Sequence, residues 1–284
     1  MKDNLELLTW DKISRMSKES RAKYASSLVG TCIEQFYQET ALSVRNTTSF
    51  DKGEEDIPNP LKREVHNLNI NFVKTDTVSA LLNVGSATPR FRSPGCFDTN
   101  TLVLNFASYR HPGGGFLNGH KAQEEALCFT SNLYLVLREF DKTWYTYNRK
   151  SLNDGLYNTR LLVTPDILFF APERGSIFYA DVVTCAAPNA TAALKHGVSP
   201  TTIESTLYER CDAVLYAATR WAHKSYSNII LGAFGCGVFG NDIKQLAKAF
   251  QSLIYGKYAG CFQQITFAVP DAEKLSVLQT YMKR

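Results

Sequence analysis

The chain has 284 residues, of which 44% are hydrophobic, 12% aromatic and 20% charged, with a formal net charge of +4. A chain this long buries roughly 75% of its unfolded surface, so neither disulfides nor metals are needed to hold it, and the composition excludes a disordered, fibrous or disulfide-scaffold protein. The charge is too mild for a nucleic-acid binder, for which a domain pI above about 9 and a clustered basic face are expected.

Met1 to Ser20 alternates charges with leucines and lacks the apolar segment of a secretory leader. From about Ser17 to Tyr37 the apolar positions Tyr24, Leu28, Cys32 and Phe36 have the spacing of an amphipathic helix. Ser43 to Pro60, with two prolines and a Glu-Glu-Asp run, predicts a surface loop. Leu68 to Val73 alternates as a half-buried strand, and Thr101-Leu-Val-Leu-Asn-Phe is apolar enough for a buried one. Gln123 to Arg138 predicts one helix, with Ala126, Phe129, Leu133 and Leu137 on one face. Apolar runs follow at Ile167 to Phe170 and Ile177 to Val183, then a long helix over Thr201 to His223. The end of the chain predicts strand (Asn228 to Phe234), helix (Asp242 to Tyr255), strand (Cys261 to Val269) and helix (Ala272 to Tyr281). Strands alternating with helices predict an α/β layer architecture with a mixed or mostly parallel sheet. No composition break marks a boundary, so one domain is expected.

Seven cysteines (32, 96, 128, 185, 211, 236 and 261) are odd in number and form no Cys-x-x-Cys pair, and five histidines (66, 111, 120, 196 and 223) supply no zinc-site spacing. Reduced thiols in a cytoplasmic setting, with nuclear access if the source is eukaryotic, and no metal, are expected. The longest uncharged stretch, Ser225 to Asn241, holds four glycines and is too short to span a bilayer.

Three segments carry candidate chemistry. Asn228-Ile-Ile-Leu-Gly-Ala-Phe-Gly-Cys-Gly-Val-Phe-Gly-Asn-Asp runs from a strand through glycines into a helix, where backbone N–H groups can converge on an anion. Gly235, Gly237 and Gly240 fit the dinucleotide fingerprint in isolation, but position 260 is Gly260 where an acid is required, the next acid is Asp271, and too little chain follows. A nicotinamide oxidoreductase is thereby rejected. A phosphate cradle and a tight structural turn remain open.

Next, Arg110-His-Pro-Gly-Gly-Gly places three costly glycines after a strand, which suggests a ligand passing close to the backbone. Between Gly85 and Lys121, Arg90, Arg92, Arg110 and Lys121 stand against the single acid Asp98, a balance suited to an anion. Glu124 and Glu125 then open a helix, where acids commonly do no more than complement the macrodipole. Finally, Asn105 near the end of its strand is either a turn former or an amide aimed at ligand hydroxyls.

In combination the segments are far more specific. Leu104-Asn-Phe-Ala-Ser, Pro112-Gly-Gly-Gly, seven residues, Gln123-Glu-Glu and Leu231-Gly-Ala-Phe-Gly-Cys-Gly-Val-Phe-Gly-Asn-Asp resemble the microbial-type poly(ADP-ribose) glycohydrolases, whose hallmark is Gly-Gly-Gly followed at this distance by Gln-Glu-Glu. Asp181-Val-Val-Thr-Cys-Ala-Ala-Pro-Asn and Phe267-Ala-Val-Pro-Asp look like further family blocks, so the resemblance covers most of the chain. One departure is His120, where a small residue is expected.

The resemblance implies a macrodomain-like three-layer α/β/α fold over 1–284, with an N-terminal helical extension at about 1–60. It implies Glu125 as the catalytic carboxyl, with Glu124 and Asn105 on the distal ribose. Gly113, Gly114 and Gly115, with Gln123, would bind substrate from one side. Gly235, Cys236, Gly237, Val238, Phe239, Gly240 and Asn241 would cradle the diphosphate from the other, with Phe239 on a ribose. The implied partners are poly(ADP-ribose) or ADP-ribosylated proteins, with ADP-ribose as product; no cofactor, membrane or sequence-specific nucleic acid is implied. Protonation of the catalytic carboxyl has opposing causes, since a helix N-terminus lowers its pKa while a neighbouring acid and a diphosphate raise it. Two rival classes remain, a non-catalytic ADP-ribose reader and a mono-ADP-ribosyl hydrolase.

Overall fold

The apolar strand segments assemble into one sheet. In a computed structural model that describes residues 5–51, 67–84, 101–220, 226 and 228–283, the strands are β1 (Thr48–Asp51), β2 (Asn69–Val73), β3 (Thr101–Phe106), β4 (Arg160–Ala171), β5 (Ser176–Cys185), β6 (Asn228–Leu231) and β7 (Gln264–Ala268). Their spatial order is β1-β4-β5-β3-β6-β7-β2. Pairs β1–β4 and β4–β5 are antiparallel, and the remaining pairs are parallel, so the sheet is mixed as expected.

Helices follow in chain order: α1 (Trp10–Ser14), α2 (Lys18–Gln35), α3 (Tyr37–Asn46), α4 (Thr77–Val84), α5 (Gln123–Phe129), α6 (Leu133–Glu139), α7 (Thr146–Lys150), α8 (Ala190–Lys195), α9 (Pro200–Arg220), α10 (Ile243–Tyr255) and α11 (Ala272–Met282). They cover both faces of the sheet, and the period-2 alternation of strand side chains divides the core accordingly. Leu102, Leu104, Val183, Cys185, Ile229 and Leu231 pack with α9, α10 and α11, whereas Val103, Val182 and Ile230 pack with α1, α2, α4, α5 and α6. Burial on both faces explains why β3, β5 and β6 read as near-continuous apolar runs. The result is three layers, α/β/α.

Three sequence expectations change. Residues 37–46 extend the helical region and 48–51 form edge strand β1, so the polar stretch from Ser43 is not all loop; its remainder lies outside the described residues, as do Arg90, Arg92 and Asp98. The single helix expected over Gln123 to Arg138 is two. At the break, the Thr130 and Ser131 hydroxyls donate to the Ala126 and Leu127 carbonyls, while the Asn132 side chain accepts from Leu168 N–H. Such back-bonding competes with the helix ladder. The short runs at 167–170 and 177–183 belong to one long hairpin, with a register shift between Thr164 and Ile167 where Asp166 sits at φ 59°.

The parallel strands β3, β5, β6 and β7 all end on one side. The segments leaving them, Phe106–Ser108, Ala187, Ala233–Phe239 and Val269–Asp271, line one cleft of about 930 Å³, the place where open α/β sheets collect ligands. Among the described residues no helix is long and apolar enough to cross a membrane.

Candidate active site

The floor of this cleft is the first turn of α5. A helix start leaves N–H groups without intrahelical acceptors, and Glu125 serves the one on the N-cap residue, Ala122. Glu125 accepts from Gly115 N–H (2.7 Å) with Oε1 and from Ala122 N–H (2.9 Å) with Oε2, which ties the triple-glycine loop to the helix. Glu124 accepts from Ser108 N–H (2.7 Å) and from the Asn105 amide (3.3 Å), which ties the helix to the end of β3. Both acids are buried and both line the cleft.

Adjacent residues on a regular helix point about 100° apart; here the loop folds back until both carboxyls face it. A Cβ at Gly114 would lie 2.5 Å from Glu125 Oε1 and 2.9 Å from Glu124 Oε2, and Gly114 has φ +58°. Glycine is therefore required twice over at that position, for space and for backbone conformation. Burial, followed by the lowering effect of the Ser108 N–H bond and the raising effect of neighbouring Glu125, leaves the Glu124 carboxyl pushed up to about 8. Burial thus favours the protonated form of Glu124 near neutral pH.

Gln123 lines the cleft, but both ends of its amide are engaged: Nε2 donates to Leu104 O (2.8 Å) and Oε1 accepts from Phe106 N–H (2.8 Å). It acts on the last residues of β3 much as a neighbouring strand would. Asn105 is fully buried and reaches the cleft only through Glu124, its other amide contact being the Thr184 hydroxyl (3.3 Å). Gly113 faces the Tyr134 ring and the Cys128 thiol, away from the cleft. Gly115 underlies the His120 imidazole, which explains how a large residue is tolerated at 120: a Cβ on Gly115 would stand 2.5 Å from its ring.

The opposite wall is the loop after β6. Asn241 closes it, its amide donating to Pro188 O and Gly235 O (2.8 and 2.9 Å). Gly240 faces Thr191, so Gly240 and Asn241 shape the loop from behind while Gly235, Cys236, Gly237, Val238 and Phe239 line the cleft, Val238 at its exposed rim. Among the described residues the N–H groups of Gly235, Gly237, Val238 and Phe239 have no protein acceptor. Free amides of this kind form an anion-binding concavity. The helix end behind them does not share that role, because Asp242 already caps α10 by accepting from Lys244 N–H.

Several contributors escaped the sequence reading. Arg21, buried on α2, donates to Gly119 O (2.7 Å) and to Met16 O, and so fastens the N-terminal helix to the glycine loop. Its signal was an arginine on the face that carries Ala25, Leu28 and Cys32. Buried Arg210 donates to the carbonyls of Leu156, Tyr157 and Asn158. It thereby holds Tyr157 at φ 61°, stacked on Tyr109 (4.2 Å) and edge-on to Phe239 (6.0 Å). No sequence signal points to that brace.

The family described as microbial-type PARG, catalytic domain, matches residues 21–171. The chain is similar to the poly(ADP-ribose) glycohydrolase of Thermomonospora curvata bound to the inhibitor ADP-HPD, with 28% identity, a TM-score of 0.75, and coverage of 92% of this chain and 99% of that one. It is also similar to the poly(ADP-ribose) glycohydrolase of Deinococcus radiodurans in complex with ADP-ribose, with 29% identity, a TM-score of 0.71, and coverage of 86% and 97%. No curated protein matches the chain.

Proposed function

The chain belongs to the microbial-type poly(ADP-ribose) glycohydrolases, a family of glycohydrolases acting on poly(ADP-ribose), and from that premise we propose how its own residues perform the reaction. The ADP-ribose unit to be released lies in the cleft, its diphosphate on the free amides of Gly235 and Gly237 to Phe239 and a ribose against the Phe239 ring. Its distal ribose meets Glu124 and Glu125. The observation that carries this reading is the pair of carboxyl groups within 2.9 Å of one point beside Gly114, facing a wall of unpaired backbone amides.

Glu125 acts as the general acid and base. The proton that the two carboxyls share passes from Glu125 to the oxygen that leaves with the rest of the polymer as the bond to the ribose anomeric carbon breaks, and the oxocarbenium-like ring is stabilised by the resulting carboxylate. Water then adds to that carbon and returns its proton to Glu125. The net reaction is addition of one water across the glycosidic bond. Glu124 orients the ribose hydroxyls, with Asn105 fixing its carboxyl. One observation favours exchanging the two roles: a carboxyl that titrates near 8 is well matched to proton transfer at neutral pH.

Comparing Glu125→Gln with Glu124→Gln tests the assignment. Glutamine resembles the protonated form of Glu124, so that variant should retain partial activity, whereas Glu125→Gln should lose polymer hydrolysis and keep ADP-ribose binding. Among the described residues six cysteines are buried and none forms a disulfide, which supports work in a reducing, cytoplasmic setting. The chain 1–284 is read as one catalytic unit, since α2 is fastened to the glycine loop through Arg21.

A further inference from the structure

Behind the triple-glycine loop lies a second cavity, of about 740 Å³. It meets the cleft at His111, Gly114 and Asn118, which line both. Its own wall comes from α6 and the segment after it: Tyr134, Arg138, Glu139, Asp141 and Lys142. Both cavities fall in the range of about 300–1,000 Å³ usual for small-ligand sites.

We propose that this second cavity is the subsite for the ADP-ribose unit on the leaving side of the scissile bond, with Arg138 and Lys142 engaging its diphosphate. The inference rests on the catalytic reading above. If the released unit occupies the cleft and its anomeric carbon stands at the carboxyl pair, the leaving oxygen must emerge beside Gly114. Gly114 is one of the three residues that both cavities share, and the one that lies against the two carboxyls.

The wall has the chemistry for an anionic chain. Lys142 is exposed and has no ion-pair partner among the described residues. Arg138 contacts Glu139 only through Nε (3.3 Å), which leaves the rest of its guanidinium free for a phosphate. Asp141 is matched by Arg149 (2.7 Å), so the acids do not cancel both cations. Arg149 also donates to Arg110 O (2.9 Å), which braces this wall against the start of the glycine loop. Tyr134 packs on Phe116 (4.9 Å) and comes close to Gly113, offering an aromatic surface next to the junction.

The test is steady-state hydrolysis of short poly(ADP-ribose) by the full chain carrying Arg138→Glu and Lys142→Glu, beside calorimetric ADP-ribose binding and a thermal melt. KM for polymer should rise about tenfold and depend less on salt. The kcat, the ADP-ribose Kd and the melting temperature should stay within about twofold or a degree or two of wild type, because both side chains are surface groups. Lys142→Ala alone, at an exposed site, should raise polymer KM about threefold. An unchanged polymer KM in an active enzyme overturns the subsite alone. A joint rise in polymer KM and ADP-ribose Kd also overturns it, since the residues would then act on the cleft. A wild-type chain that binds ADP-ribose but never cleaves polymer overturns the catalytic reading and the subsite with it.

Discussion

The two glycine loops face each other across the cleft and look alike in sequence, yet only the second holds a glycine that protein packing does not require. In the loop at 113–115 the missing side chains make room for the protein itself: a Cβ would meet Tyr134 at Gly113, the two carboxyls at Gly114 and the His120 ring at Gly115. In the loop at 235–240, Gly235 and Gly240 are likewise packed, against Ala187 with Asn241 and against Thr191, but a Cβ at Gly237 would meet nothing within 4 Å. One loop is built around the buried acid pair. The other is built around a space.

The sharpest way to break that contrast is substitution at Gly114. Gly114→Ala should lower polymer hydrolysis by about 100-fold, the scale expected when reacting groups are displaced by an ångström or so. It should also destabilise the chain by about 1–2 kcal/mol through the left-handed backbone alone. Kinetics together with a denaturant melt check both. Full activity in the variant would show that the carboxyls need not approach this backbone.

Gly237→Ala is the counterpart with a smaller expected effect. Its melting temperature should match wild type, because the added methyl has no neighbour. Its ADP-ribose affinity should fall by about tenfold as the methyl enters the diphosphate space. Calorimetry beside a melt separates the two quantities, and a loss of stability without loss of affinity would make this glycine a structural one.

A further effect is one of pH, and it belongs to the first loop only, where an acid is buried. Glu124 has its folded pKa raised from 4.5 to about 8. Its contribution to stability is fully present below pH 4.5 and is lost as pH rises toward 8, because the unfolded chain releases that proton earlier than the folded one. Glu124→Gln removes this titration. The melting temperature of the variant relative to wild type should therefore climb between about pH 5 and pH 8 and level off above. A difference that is flat across that window would place the Glu124 pKa near its ordinary value.

Much of this was legible because the sequence signals were local. Strand β3, both glycine loops and the acid pair each lie within a few consecutive residues, and their order along the chain identified the family before any geometry. Partnerships made across the fold were not legible. Gln123 sits in the hallmark motif beside the acids, yet its amide bonds the backbone of β3, a role visible only once residues 104–106 are alongside it. Arg210 lies in a long helix and acts on carbonyls more than fifty residues away in sequence. The break in the helix at Thr130–Asn132 escaped because Ala126, Phe129, Leu133 and Leu137 keep helical spacing across it. Periodicity reports which face is buried, whereas hydroxyls bonded to the preceding turn decide where the helix stops.

The division of labour between the two acids is the claim on which the mechanism stands. Single-turnover cleavage of one poly(ADP-ribose) preparation by wild type, Glu125→Gln and Glu124→Gln, with ADP-ribose affinity measured on each, tests it directly. The Glu125→Gln rate should fall by about 10²–10⁴-fold with affinity nearly intact, as expected when a general acid is lost, and Glu124→Gln should show a clearly smaller drop. A more severe loss in Glu124→Gln would contradict the assignment and give the acid role to the carboxyl that titrates near 8; full rates in both variants would contradict carboxyl catalysis in this cleft altogether.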